Sequence, residues 1–250
     1  MTDQQVVAVV GAGPGVGFEV ARAFGRRGYK VGLVARTANK LADMVDSLRA
    51  AGIDADGFRG DADDETSLTT ALELLSETLG PVDVLQYGVP GPLARGFLPA
   101  ADISPALMRE FIDVRLLGAV AATRAVLGSM RARGSGALLF TSGTSGETPH
   151  PNTAAMGAPN AALRMYAQHL HTELKQDGIF VAYVPIALPP IISDPAIEAA
   201  RGDIPDQVKA TVAENPIKIT AIQVGEILYR LATTGKKFET TIPDPVLPMA

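Results

Sequence analysis

Val6-Val7-Ala8-Val9-Val10-Gly11-Ala12-Gly13-Pro14-Gly15-Val16-Gly17 is the stretch that decides the fold. Five small or β-branched apolar residues read as a buried strand, and the glycines after them as a tight turn that opens a helix. In that position glycine lets backbone approach a phosphate, while the helix N-terminus supplies N–H donors and a favourable dipole. Gly11, Gly13, Gly15, Val16 and Gly17 are therefore candidate cofactor-binding residues. The alternative is a glycine turn needed only for packing the helix on the strand.

Outward from this loop, short apolar runs alternate with amphipathic ones. Val31–Ala35, Ala55–Arg59, Val82–Leu85, Ala137–Thr141 and Ile179–Pro185 read as further strands, and Phe238–Ile242 as a last one. Helices are expected over Gly17–Arg27, Thr37–Ala51, Asp64–Leu79, Ser104–Arg133, Ala154–Gln176 and Ala221–Leu231. Strands alternating with helices imply βαβ units with right-handed crossovers. The expected fold is α/β, a doubly wound, Rossmann-type parallel sheet of about seven strands with helices on both faces. Residues 1–250 read as a single domain, with the proline-bearing stretch 188–215 as a lid insertion on the substrate side. Its Ile191, Ile192 and Ile197 point to a hydrophobic small-molecule ligand or, alternatively, to helix docking.

The second strand ends Val34-Ala35-Arg36. A carboxylate there would bind ribose hydroxyls and repel a 2′-phosphate; Ala35 followed by Arg36 suits the phosphate. Asp61, with Ala62 after the third strand, is placed to accept from an adenine amino group or to cap a helix. A flavin loop would want glycine at Val16, and a methyltransferase remains a third reading of the same glycines.

Composition narrows the classes further. The net charge of −5 argues against a bulk nucleic-acid binder, which needs clustered Lys and Arg. With no cysteine, thiolate chemistry and Cys-based zinc sites are excluded, and a cytoplasmic protein is expected. The longest apolar candidate, Leu116–Met130, contains Arg124 and is too short to span a membrane. No metal site is expected: His169 and His171 point to different helix faces, and the acidic run at 61–65 lacks calcium-loop spacing.

The chain resembles the short-chain dehydrogenase/reductase family. Its Gly-x-x-x-Gly-x-Gly loop matches Gly11, Gly15 and Gly17, and Arg36 and Asp61 match the NADP-binding variety. The resemblance implies NADP(H) as cofactor, a Rossmann sheet, and a homodimer or homotetramer built on the two long middle helices. The family's catalytic residues do not match. Its Asn-Asn-Ala-Gly falls on Tyr87-Gly88-Val89-Pro90, which places Tyr87 and Gly88 near the cofactor ribose, with Tyr87 read as a packed or stacking aromatic. Its Asn falls on Arg115 and its Ser on Gly143, with Ser142 one residue early; its Tyr and Lys fall on Met156 and Asn160. Tyr87, Tyr166 and Tyr183 are followed four residues on by Gly91, Leu170 and Ala187, so no Tyr-x-x-x-Lys stands in for the missing pair.

The usual route passes a proton from a tyrosine hydroxyl whose pKa a neighbouring lysine lowers. Met156 has no exchangeable proton, and Asn160, aligned with a cofactor-contacting position, carries no charge. Arg115 could instead stabilise an oxyanion or grip an acidic ligand, and His150 could exchange protons near neutral pH. Ser142, Thr144 and Ser145 follow the fifth strand, where such sheets bind ligands or where a turn needs them. Arg115, Ser142 and His150 are the candidate catalytic residues of an NADP(H)-dependent oxidoreductase. The rival reading is an NADP(H)- or ligand-binding protein without turnover.

Overall fold

The computed structural model describes residues 4–243. Its sheet is parallel throughout, in the order β3-β2-β1-β4-β5-β6, with β1 Val6–Val10, β2 Lys30–Ala35, β3 Ala55–Arg59, β4 Val84–Tyr87, β5 Gly136–Gly143 and β6 Ile179–Ile186. All five residues of β1 are buried, as a strand covered on both faces must be. From β1 the chain first builds β2 and β3 on one side and then crosses to β4 on the other. The order therefore reverses between β1 and β4, opening a crevice beyond their carboxyl ends.

Helices α1 Val16–Gly25, α2 Ala38–Ala50 and α10 Ala221–Thr234 supply Phe24, Leu48 and Leu228 to the core on one face. On the other face α3 Glu65–Leu79, α6 Gly118–Arg133 and α7 Ala154–Glu173 supply Leu72, Met130 and Leu163. Asp64 caps α3, its carboxylate accepting from the Ser67 N–H at 3.0 Å.

Three expectations shift. The fourth strand starts two residues later than expected and ends at Tyr87. The long helix expected over Ser104–Arg133 is broken: α5 Pro105–Ile112, after the short α4 Leu93–Gly96, passes into one π-helical turn, Asp113–Leu117, before α6. Within that turn the Tyr87 hydroxyl donates to the Val114 carbonyl, and insertion of a side chain into a helical ladder is a recognised cause of such breaks. Periodicity alone does not show it, because Tyr87 comes from another element.

The seventh strand is the third. Segment 238–242 runs parallel along β6, yet it makes only two separate bridges, Tyr183–Glu239 and Ile186–Ile242. Tyr183 N–H reaches the Phe238 carbonyl at 2.7 Å, and Ile242 N–H reaches the Pro185 carbonyl at 2.8 Å. Pro185 has no N–H to give between them, so the ladder is interrupted and the sheet counts six strands.

The stretch 188–215 holds α8 Pro195–Ala200 and α9 Asp206–Glu214. Its ends are tied by Ile191 N–H to the Ile219 carbonyl (2.8 Å) and Ala221 N–H to the Ile191 carbonyl (2.9 Å). Among the described residues no helix is long and apolar enough to cross a membrane.

Candidate functional site

The glycine loop lies at the reversal point. Gly11 has φ +85°, and a Cβ there would meet the Gly88 carbonyl oxygen at 2.7 Å, so glycine is required where the loops after β1 and β4 touch. Gly17 lies against Ala12, and a Cβ would come within 3.0 Å of its Cα. At Gly13 a Cβ would find only the loop's own Gly11 oxygen, at 4.0 Å, so that side is open. Helix α1 begins after Gly15 with no side-chain cap, which leaves the first-turn amides of Val16 and Gly17 for a ligand. Above the loop, Ile192 Cγ1 would stand 3.5 Å from a Cβ on Gly15, and Ser193 donates to the buried Glu19 carboxylate at 2.6 Å.

Beyond the glycine loop, Ala35 leaves the end of β2 without a carboxylate. Arg36 is largely exposed, its Nε 3.8 Å from Asp61 Oδ1. That oxygen is buried and makes no hydrogen bond. Burial and a hydrogen bond to Asp61 hold the neighbouring Asp63 carboxyl above its ordinary range. Ala62 is buried beside it. An open phosphate cradle, a buried carboxylate oxygen with no hydrogen bond and an exposed arginine held only by that long ion pair fit the adenosine-phosphate half of NADP(H).

The Tyr87 ring and the Ser142 hydroxyl are both buried. Burial pushes the Tyr87 hydroxyl well above the usual range. Tyr87 is buried as a whole residue, and Gly88 after it is half-buried. Strand alternation turns Ser142 to the same face as Phe140, toward α7. Its Oγ is buried with no partner at hydrogen-bonding distance, though close enough to Tyr183 to restrain that hydroxyl's rise, which burial drives up to about 12.

Arg115 sits in the π-turn with 8% exposure. One Nη donates to Asn160 Oδ1 at 2.6 Å and the other to the Pro90 carbonyl at 2.7 Å; Nε has no partner. Among the described residues no carboxylate pairs with it. Burial pulls the guanidinium down to about 10, so it stays protonated at neutral pH. Its Cζ lies 5.8 Å from the centre of the Phe111 ring, and Phe111 packs with Met156. Asn160, 1% exposed, then donates from Nδ2 to Ser145 Oγ (3.2 Å) and to the Gly143 carbonyl (3.4 Å).

His150 is exposed, its ring nitrogen 3.2 Å from Thr144 Oγ1. The structure thus joins Arg115, Asn160 and the end of β5, with His150 at the rim and Ser142 beneath. The link to Ser145 and the buried Tyr183, which donates to the Asn160 carbonyl at 3.2 Å, escape sequence reasoning. No local spacing connects them.

The family model for short chain dehydrogenases matches residues 5–198. The "Putative ketoacyl reductase" of Streptomyces coelicolor is 30% identical over 223 residues, which cover 88% of this chain and 82% of that protein. A variant of actinorhodin polyketide ketoreductase, crystallised with NADPH, superposes with a TM-score of 0.81 at 25% identity, covering 97% of each chain. A 7α-hydroxysteroid dehydrogenase complexed with NADH and 7-oxo glycochenodeoxycholic acid shares the fold, with a TM-score of 0.82 at 21% identity over 99% of this chain and 96% of that one.

Proposed function

This chain belongs to the short-chain dehydrogenase family, and from that membership we propose that it is an NADP(H)-dependent oxidoreductase that reduces a small carbonyl compound without a tyrosine proton donor. When bound, the reduced cofactor supplies a hydride to the carbonyl carbon, whose oxygen takes a proton from water, giving an alcohol and NADP+. Arg36 grips the 2′-phosphate, Asp61 Oδ1 accepts from the adenine amino group, and the amides of Val16 and Gly17 hold the pyrophosphate. Segment 188–215 acts as the lid, with Ile192 over the loop.

The observation that carries the reading is Arg115. A buried cation with no carboxylate is expensive to keep, and here it stands hydrogen-bonded to Asn160 at the end of β5. Fixed positive charge in a dry site stabilises oxygen that turns negative in a transition state. Solvent supplies the proton, with His150 at the rim as carrier. The rival reading, a binding protein without turnover, is favoured by Met156 in place of a proton donor.

Two measurements decide. Titration of NADPH fluorescence should show binding, weakened about tenfold in Arg36→Ala, with NADH affected far less. NADPH oxidation with ketones, quinones and enones should be measurable and fall in Arg115→Ala. Binding without any oxidation selects the silent protein; no binding of either cofactor removes both readings. For assembly we propose a homodimer or homotetramer, on the exposed Leu117 and Met165 beside the middle helices.

A further inference from the structure

Three hydroxyls follow the core of β5, and their surroundings differ. Ser142 Oγ is buried beneath the site. Thr144 Oγ1 is engaged with the His150 ring. Ser145 is half-buried, and its Oγ receives the Asn160 amide N–H at 3.2 Å while donating to no described residue. Its own proton is therefore free for a ligand.

We propose that Ser145 is the hydroxyl that hydrogen-bonds the substrate carbonyl oxygen, polarised through Asn160 by the Arg115 cation. The inference rests on the reductase reading and deepens it. The guanidinium draws electron density from Asn160 Oδ1, which makes Nδ2–H a stronger donor to Ser145, which in turn makes the serine O–H a stronger donor onward; such chains are cooperative at low dielectric. Ser145 is the catalytic residue of this set. Asn160 and Arg115 act through it as positioning residues.

Two packing features point the same way. Gly143 has no side chain, and a Cβ there would lie 3.8 Å from Ser145 Oγ and 3.7 Å from Asn160 Nδ2. The space next to the free hydroxyl is thus left for another atom. In addition, the single 3-10 turn Thr144–Gly146 is seated hard against α7. A Cβ on Gly146 would meet Asn160 Cβ at 2.8 Å, and one on Gly157 would meet the Ser145 carbonyl oxygen at 2.6 Å. Glycine inside a helix costs about 1 kcal/mol relative to alanine, so its presence at 157 marks a close approach that the fold maintains. That approach puts Ser145 within reach of Asn160.

The test uses Ser145→Ala and Ser145→Thr in the full chain. With cyclohexanone or ethyl acetoacetate as substrate, Ser145→Ala should lower kcat on the order of 10²-fold, leave the NADPH dissociation constant unchanged, and be rescued in large part by Ser145→Thr. A readout independent of turnover is the infrared carbonyl band of ¹³C-labelled cyclohexanone bound with NADP+, where no hydride is available. The band should move to higher wavenumber in Ser145→Ala, and part of the way in Asn160→Ala and Arg115→Ala. A Ser145→Ala protein that keeps kcat within about threefold and leaves the band in place overturns the role of Ser145 while the reductase reading stands. If the wild-type protein neither oxidises NADPH nor binds the ketone, both are overturned.

Discussion

Arg115 carries a full charge into a site of 8% exposure, and its two hydrogen bonds go to neutral oxygens. Desolvation lowers its pKa from the ordinary guanidinium range to about 10. Unfolded and folded chains are both protonated below that value, so Arg115 adds no pH dependence to stability near neutrality. Above about pH 10 the unfolded state binds the extra proton, and this residue's unfavourable contribution fades. For activity the sign is opposite: the charge is needed, so kcat should hold through pH 9 and fall near pH 10. A pH–rate profile checks this, and Arg115→Gln should lack that alkaline limb. A second residue-scale expectation concerns Gly118. A Cβ there would lie 2.2 Å from the Tyr87 hydroxyl and 2.5 Å from the Ala62 carbonyl oxygen. Gly118→Ala should lower the unfolding free energy by about 1–3 kcal/mol in urea titrations, because backbone oxygen cannot yield and the clash outweighs the helix-propensity gain.

Among the elements, the π-turn and α7 frame the site together. The turn places Arg115 while its Val114 carbonyl is held by Tyr87, and α7 presents Asn160 opposite. π-Helical turns of this kind recur at functional sites. Gly157→Ala tests that framing. Alanine favours the helix by about 1 kcal/mol, which offsets part of the strain of the 2.6 Å approach to Ser145. The clash is with backbone, as at Gly118, so Gly157→Ala should also lower the unfolding free energy, by about 1–2 kcal/mol, and displacement of the Thr144–Gly146 turn should lower kcat on the order of 10- to 100-fold at temperatures where the protein stays folded.

At the scale of the molecule, cofactor binding and stability are linked. NADPH at a hundred times its dissociation constant should stabilise the fold by about 2.7 kcal/mol, raising Tm by about 5–10 °C for a chain of this size. NADH at the same concentration should raise it less, and Arg36→Ala should erase the difference. Leu117 and Met165 are each about half exposed (53% and 54%). On the proposed homodimer or homotetramer, light scattering should show an oligomer in the parent protein and monomers in Leu117→Glu combined with Met165→Glu, since two carboxylates in an apolar contact go unpaired.

Sequence by itself determined what depends on near neighbours. Val6–Val10 followed by glycines specified strand, glycine turn and helix; Ala35-Arg36 set the charge at the end of β2; Met156 and Asn160 stand where the resemblance expects tyrosine and lysine. Each of these is a matter of side-chain type and spacing along one element. Tertiary structure alone decided that Arg115 meets Asn160 across 45 residues, that Tyr87 reaches the π-turn, and that Ser145 rather than Ser142 accepts from Asn160. Only the docked sheet shows Pro185 meeting segment 238–242 and breaking the seventh strand. Periodicity records which face of an element is apolar, but hydrogen bonds between elements depend on how those faces are brought together, and no local pattern encodes that distance.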